Sequence, residues 1–154
     1  MSGVRGVANL VCVVHDSRLE VYNSAFRGNQ ARPFLIGDQT NVVVHGSIVS
    51  NNVVSGAGGG GMWVEGNADV TITGSSVDGN SATRGGGGLS VDGNARVSIA
   101  GGSSISKNTA EWGAGLVASR NASVTLTGGS SVNWNKAGGN GRVCFFVTLP
   151  TSWS

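Results

Sequence analysis

The chain has 154 residues, 27 of them glycine and only two proline, with 12% charged residues and a formal net charge of +2. That much glycine without proline excludes a collagen helix and a proline-rich disordered segment. The weak charge and the absence of a Lys/Arg cluster argue against a nucleic-acid footprint, and no apolar run is long enough to span a bilayer.

The first apolar stretch, Val7 to Val14, follows Arg5 as a secretion signal would. Asn9 interrupts it and no small-x-small cleavage site follows, so it reads as the first coil of a repeat. Met62, Leu89, Leu116 and Val143 then recur at steps of 27, with Leu35 one step earlier and Val11 a further 24 back. A second column, Asn29, Asn52, Asn80, Asn108 and Asn135, recurs at steps of 23, 28, 28 and 27. Self-similarity at such a period marks a solenoid.

One coil, Gly61 to Gly87, shows how the repeat is built. Met62 and Val64 alternate with Trp63 and Glu65; Asn67 marks a turn; Val70 and Ile72 alternate with Asp69, Thr71 and Thr73. Gly74 breaks that strand, Val77 starts a third apolar point, and Asn80 closes it. Period-two alternation predicts strands with one buried face. The following coils substitute in kind, with Leu89, Val91, Val97, Ile99 and Ile105, then Leu116, Ala118, Val124, Leu126 and Val132, as the inward residues.

Three short strands per coil cannot bury an apolar face alone, so successive coils must stack in parallel at a rise of about 4.8 Å. The expected fold is all-β, a right-handed parallel β-helix of five to six coils of roughly 27 residues, the hand following from the preference for right-handed crossovers. One domain is expected over 1–154, with coils from about 10 to 147 and a tail or cap at 148–154. Asn52, Asn80, Asn108 and Asn135 read as a structural ladder, since an inward asparagine is costly unless its amide is satisfied by its neighbours. Asn67, Asn94 and Asn121 form a further column, at a tight turn whose left-handed backbone asparagine tolerates.

The motifs GGGM, GGGL and GAGL alternate with FRGN (Phe26 to Asn29), VDGN (Val77 to Asn80), ISKN (Ile105 to Asn108) and VNWN (Val132 to Asn135). This pairing resembles the GGA[ILV] and FxxN signatures of the chlamydial polymorphic outer-membrane protein repeat, over about residues 10 to 147. The resemblance implies a β-helical passenger of adhesin type, exposed on a cell surface or secreted.

Candidate chemistry is sparse. The glycine runs Gly56 to Gly61 and Gly85 to Gly88 lack the Lys-Ser/Thr and the helix of a phosphate loop, and suit tight corners. Glu65 and Asp92, 27 apart, are the best carboxylate pair for pectin-lyase-like chemistry; an exposed turn or a weak Ca²⁺ site suits them equally. Asp69 over Arg96 and Arg84 over Glu111 read as opposite-charge pairs between coils. His15 and His45 lack ligand or nucleophile spacing and read as surface residues; no metal centre and no cofactor are expected. Cys12 and Cys144 fall at opposite ends of the stack, about 24 Å apart on a rise of about 4.8 Å per coil, too far for a disulfide. Thr71, Ser98 and Thr125 beside Thr73, Ala100 and Thr127 make a Thr-x-Thr array like that of ice-binding β-helices, though β-propensity on an exposed strand explains it as well.

The reading is therefore a non-enzymatic, surface or secreted rigid scaffold for contact with a protein or glycan of a host or neighbouring cell. Trp63, Thr71, Thr73, Thr125 and Thr127 are its candidate binding residues, with Trp112 and Trp134 as further aromatic anchors. Neither nucleic acid nor a transmembrane segment enters this reading. A carbohydrate-active enzyme is the first alternative and ice binding the weaker second. The apolar end, Val143 to Trp153, reads either as a cap over the open coil or as the edge of a fragment whose continuation is missing, and an exposed patch there predicts self-association.

Overall fold

A computed structural model of the chain describes residues 5–56 and 58–139. They wind into five stacked coils with four sides. The first coil holds β1 (Arg5–Val13), β2 (Arg18–Tyr22) and β3 (Ala25–Arg27); the second holds β4 (Gln30–Ile36), β5 (Asn41–His45), β6 (Ile48–Ser50) and β7 (Val53–Val54). The third holds β8 (Met62–Val64), β9 (Asp69–Thr73), β10 (Ser76–Asp78) and β11 (Ser81–Ala82). The fourth holds β12 (Leu89–Val91), β13 (Arg96–Ala100), β14 (Ser104–Ser106) and β15 (Thr109–Ala110), and the fifth β16 (Leu116–Ala118), β17 (Ser123–Leu126), β18 (Ser131–Asn133) and β19 (Lys136–Ala137).

Like strands pair in parallel up each side: β1, β4, β8, β12 and β16 on the first, β2, β5, β9, β13 and β17 on the second. The third side is β3, β6, β10, β14 and β18, and the fourth β7, β11, β15 and β19. Alternation decides what is inside. Val42, Val70, Val97 and Val124 form one fully buried rung column on the second side, and Val44, Ile72 and Ile99 the next. Burying each such side chain contributes about 1.5–3 kcal/mol, and only stacking makes that burial possible. Every inward residue expected of the third to fifth coils is in this core, with Leu126 and Val132 partly covered at its end.

Four expectations need correction. Coils carry four strands where a full corner is present, because a two-residue strand such as Ser81–Ala82 is too short to show period-two alternation. Phe34, not Leu35, sits over Met62 and is fully buried, while Leu35 faces outward beside Trp63. The slip arises at the corner: nine residues separate Asn52 from Met62, against eight from Asn80 to Leu89 and seven from Asn108 to Leu116. At the corner between the first and second sides the left-handed residues are Gly66 (φ 72°), Gly93 (φ 76°) and Arg120 (φ 61°), one position before the asparagines assigned that role. Finally, Asp69 and Arg96 are in register and Arg84 neighbours Glu111, but neither pair closes into an ion pair; these side chains stay in water, where such contacts are weak.

Glycine is required where coils meet. A Cβ on Gly60 would lie 2.2 Å from the Gly87 carbonyl oxygen, and one on Gly87 2.5 Å from that of Ala114. The glycine runs are close-packed corners, as expected. Val143, Cys144, the apolar tail and its capping or self-association lie outside the described residues; Cys12 is an exposed free thiol.

Candidate functional site

Two polar ladders hold the interior and leave little for chemistry there. Asn29, Asn52, Asn80 and Asn108 are fully buried. Each Nδ2 donates to the Oδ1 of the next asparagine, at 2.8, 2.8, 3.1 and 3.0 Å as far as Asn135. The same Oδ1 atoms accept the backbone N–H of the preceding coil's asparagine at 2.8–3.1 Å. An amide hydrogen of Asn52, Asn80, Asn108 and Asn135 goes to a carbonyl of the third-side strand one coil back, in Phe26, Val49, Val77 and Ile105. The expected ladder is thus structural, and it begins one coil earlier, at Asn29.

The second ladder was missed from sequence. Backbone N–H groups of Ser24, Ser47, Ser75 and Ser103 donate to the hydroxyls of Ser47, Ser75, Ser103 and Ser130 at 3.0–3.1 Å. Its signal was a Gly-Ser dipeptide at Gly46, Gly74, Gly102 and Gly129, hidden among many other serines.

The acidic pair stacks as expected, Glu65 N–H donating to Ile36 O and Asp92 N–H to Val64 O at 2.8 Å each. The Asp92 carboxylate is engaged: Oδ1 accepts the Gly93 N–H at 2.8 Å and Oδ2 lies 3.1 Å from Arg120 Nη1. No group of three His, Cys, Asp or Glu side chains gathers to hold a metal among the described residues. His15 and His45 are exposed, His45 lying against Tyr22 with ring centroids 5.8 Å apart.

The candidate binding residues divide between two sides. Thr71, Thr73, Thr125 and Thr127 line the outer second side with Ser98 and Ala100, below Val43 and His45. Trp63 is on the first side, and its face is covered. The Arg32 guanidinium lies 4.4 Å from its ring centroid while Nη2 donates to Gly58 O at 2.8 Å and Nη1 to Asn9 Oδ1 at 3.1 Å. Burial pushes the Arg32 guanidinium below its ordinary pKa, and the Glu65 charge acts against that. Arg32 therefore clamps Trp63 to the Gly58–Gly59 loop and removes it as an open platform.

The fourth side is different. A shallow groove of about 520 Å³ runs over β11, β15 and β19, lined by Ser81, Thr83, Thr109, Glu111 and Lys136 among others. Trp112 is half exposed at its edge and lies over Gly85. Trp134, at the corner between β18 and β19, is 85% exposed. It also has φ +56°, in a column otherwise filled by Gly28, Asn51, Gly79 and Lys107, all left-handed.

Four-sided coils, parallel pairing throughout and an inward asparagine column agree with the sequence comparison, in which the model of the right handed beta helix region matches residues 5–103. The chain belongs to that family. Neither a curated protein nor a solved structure matches this β-helix.

Proposed function

We propose that this β-helix is a non-enzymatic contact module of adhesin or passenger type, surface-exposed or secreted, which presents its fourth side to a protein or glycan of another cell. The family takes in enzymes and non-enzymes alike, so the reading rests on the side chains. One observation carries it. Trp134 combines a large exposed apolar surface with a left-handed backbone, which a bulky residue adopts only at a cost. The corner imposes the backbone on every coil, Lys107 included, so the strain is a cost of placing a tryptophan there, and a partner that covers the indole accounts for its exposure. Hydroxyls of Ser81, Thr83 and Thr109 and the charges of Glu111 and Lys136 line the groove on the side that follows the Trp134 corner and supply its polar groups. The contacts of Asp92 with Gly93 and Arg120 suit a structural corner as well as they would a paired acid, and favour the non-enzymatic reading of Glu65 and Asp92 only to that extent.

The test is Trp134→Asn, which copies Asn51 of the same column. We expect the melting temperature to rise by about 1–3 °C as strain is relieved. Binding of the labelled chain to an array of immobilised glycans and matrix proteins should fall at least about tenfold, as for an interface hot spot. Undiminished binding by Trp134→Asn, or cleavage of polygalacturonate that disappears in Asp92→Asn, would overturn the proposal.

A further inference from the structure

The exposed corner between the first and second sides carries asparagines that serve no buried ladder. Asn67, Asn94 and Asn121 stack there in water, Asn94 Nδ2 donating to Asn67 Oδ1 at 3.0 Å and Asn121 Nδ2 to Asn94 Oδ1 at 3.1 Å. The residue two positions on opens the second-side strand, and it differs in each coil: Asp69, Arg96 and Ser123 are directly stacked. Only the last completes the acceptor triplet Asn-x-Ser, as Asn121-Ala122-Ser123. Of the 14 asparagines in the chain it is the one with a hydroxyl residue at that spacing, and every fully buried ladder asparagine lacks it.

We propose that Asn121 is an acceptor for an N-linked glycan. The chemistry is transfer from a lipid-pyrophosphate-linked oligosaccharide. A bond forms between Asn121 Nδ2 and the anomeric carbon, the bond from that carbon to the pyrophosphate oxygen breaks, Nδ2 loses one proton, and the lipid pyrophosphate leaves. The site tolerates the product. Asn121 Nδ2 uses one hydrogen toward Asn94, so the other is available for replacement while the ladder bond survives. Asn121 is exposed and follows Arg120, whose φ of +61° turns the chain sharply at the corner. Placement matters as well. The chain passes the second and third sides between this corner and the one that carries Trp134, so the two corners are diagonally opposed across the four-sided coil. A glycan on Asn121 leaves the contact face open and shields the opposite edge.

This inference rests on the surface or secreted reading, because the transferase acts in the secretory route. The test supplies that route directly: the full chain is expressed behind a secretion leader in yeast, and its intact mass is measured before and after peptide:N-glycosidase. The expected result is one glycan on the secreted protein, lost in Asn121→Gln and in Ser123→Ala. Arg96→Ser, which completes the same triplet one coil earlier at Asn94, should add a second. A secreted protein with unmodified mass, or a glycan that persists in Asn121→Gln, would sink the acceptor while leaving the contact reading untouched. Loss of the contact reading, seen as Trp134→Asn binding unchanged, would leave the acceptor standing.

Discussion

Two asparagine columns climb this solenoid with almost the same hydrogen bond and very different surroundings. At the corner between the third and fourth sides, Asn80 is fully buried and makes four side-chain bonds: Nδ2 to Val49 O and Asn108 Oδ1, Oδ1 from Asn52 N and Nδ2. At the corner between the first and second sides, Asn94 makes amide bonds of 3.0 and 3.1 Å to its two neighbours in full contact with water. Length and chemistry do not separate the two; the cost of leaving a partner unmet does. A buried orphan loses its hydration without compensation, about 1–3 kcal/mol each, whereas an exposed one returns to water. The inner column therefore holds the coils in register, and the outer one is free to vary and to be modified.

The widest contrast between inside and outside should appear at adjacent residues of β12. Leu89→Asp places an unpaired charge in the fully buried column of Phe34, Met62 and Leu116. A loss above about 4 kcal/mol is expected, enough to unfold or split a marginally stable stack. Ser90→Asp, one residue on, points away from that core into the part-covered layer between Trp63 and Val117, and should cost about 1–2 kcal/mol, well below the loss at Leu89. Thermal melts decide between them, and equal losses would show the register to be wrong.

Next in size is the inner ladder itself. Asn80→Ala strands the Val49 carbonyl and leaves the Asn52 backbone N–H without its acceptor. The expected loss is about 3 kcal/mol, with protection from amide exchange falling first at Asn52, while the Asn108 N–H keeps its acceptor on Asn135. A melt close to that of the wild type would mean water enters this corner and that burial does not set the ladder's worth.

What could be read from the chain follows the same division. Columns filled by one residue type in every coil, the inward aliphatics and the inner asparagines, were legible because burial tolerates few substitutes. The serine ladder obeys the same rule, yet serine is common on the outer faces too, so the Gly-Ser signal at Ser47, Ser75, Ser103 and Ser130 was not distinctive. The place of Phe34 was lost because corner length changes from coil to coil, and hydrophobic spacing cannot report which residue a loop has added. Contact residues were legible only in type. Trp134 breaks its column, and nothing in a repeat pattern marks the side on which such an exception lies. Nor could spacing show that Arg32 covers Trp63, since that contact joins a second-coil strand to a third-coil tryptophan across the loop at Gly58.

The smallest effect is the one that most sharpens the comparison. Asn94→Ala removes both amide bonds of the outer column at once, to Asn67 and from Asn121, yet each former partner gains water in exchange. Gly93 keeps the left-handed turn (φ 76°), and the backbone bonds Asn94 N–H to Gly66 O at 2.8 Å and Asn121 N–H to Gly93 O at 2.9 Å do not involve the side chain. The corner should keep its shape, and the loss should stay below about 0.5 kcal/mol, several times less than for Asn80→Ala. Denaturant titration of the two variants side by side measures the ratio. A loss at Asn94 matching that at Asn80 would show that the amide bond itself, whatever its exposure, holds neighbouring coils together.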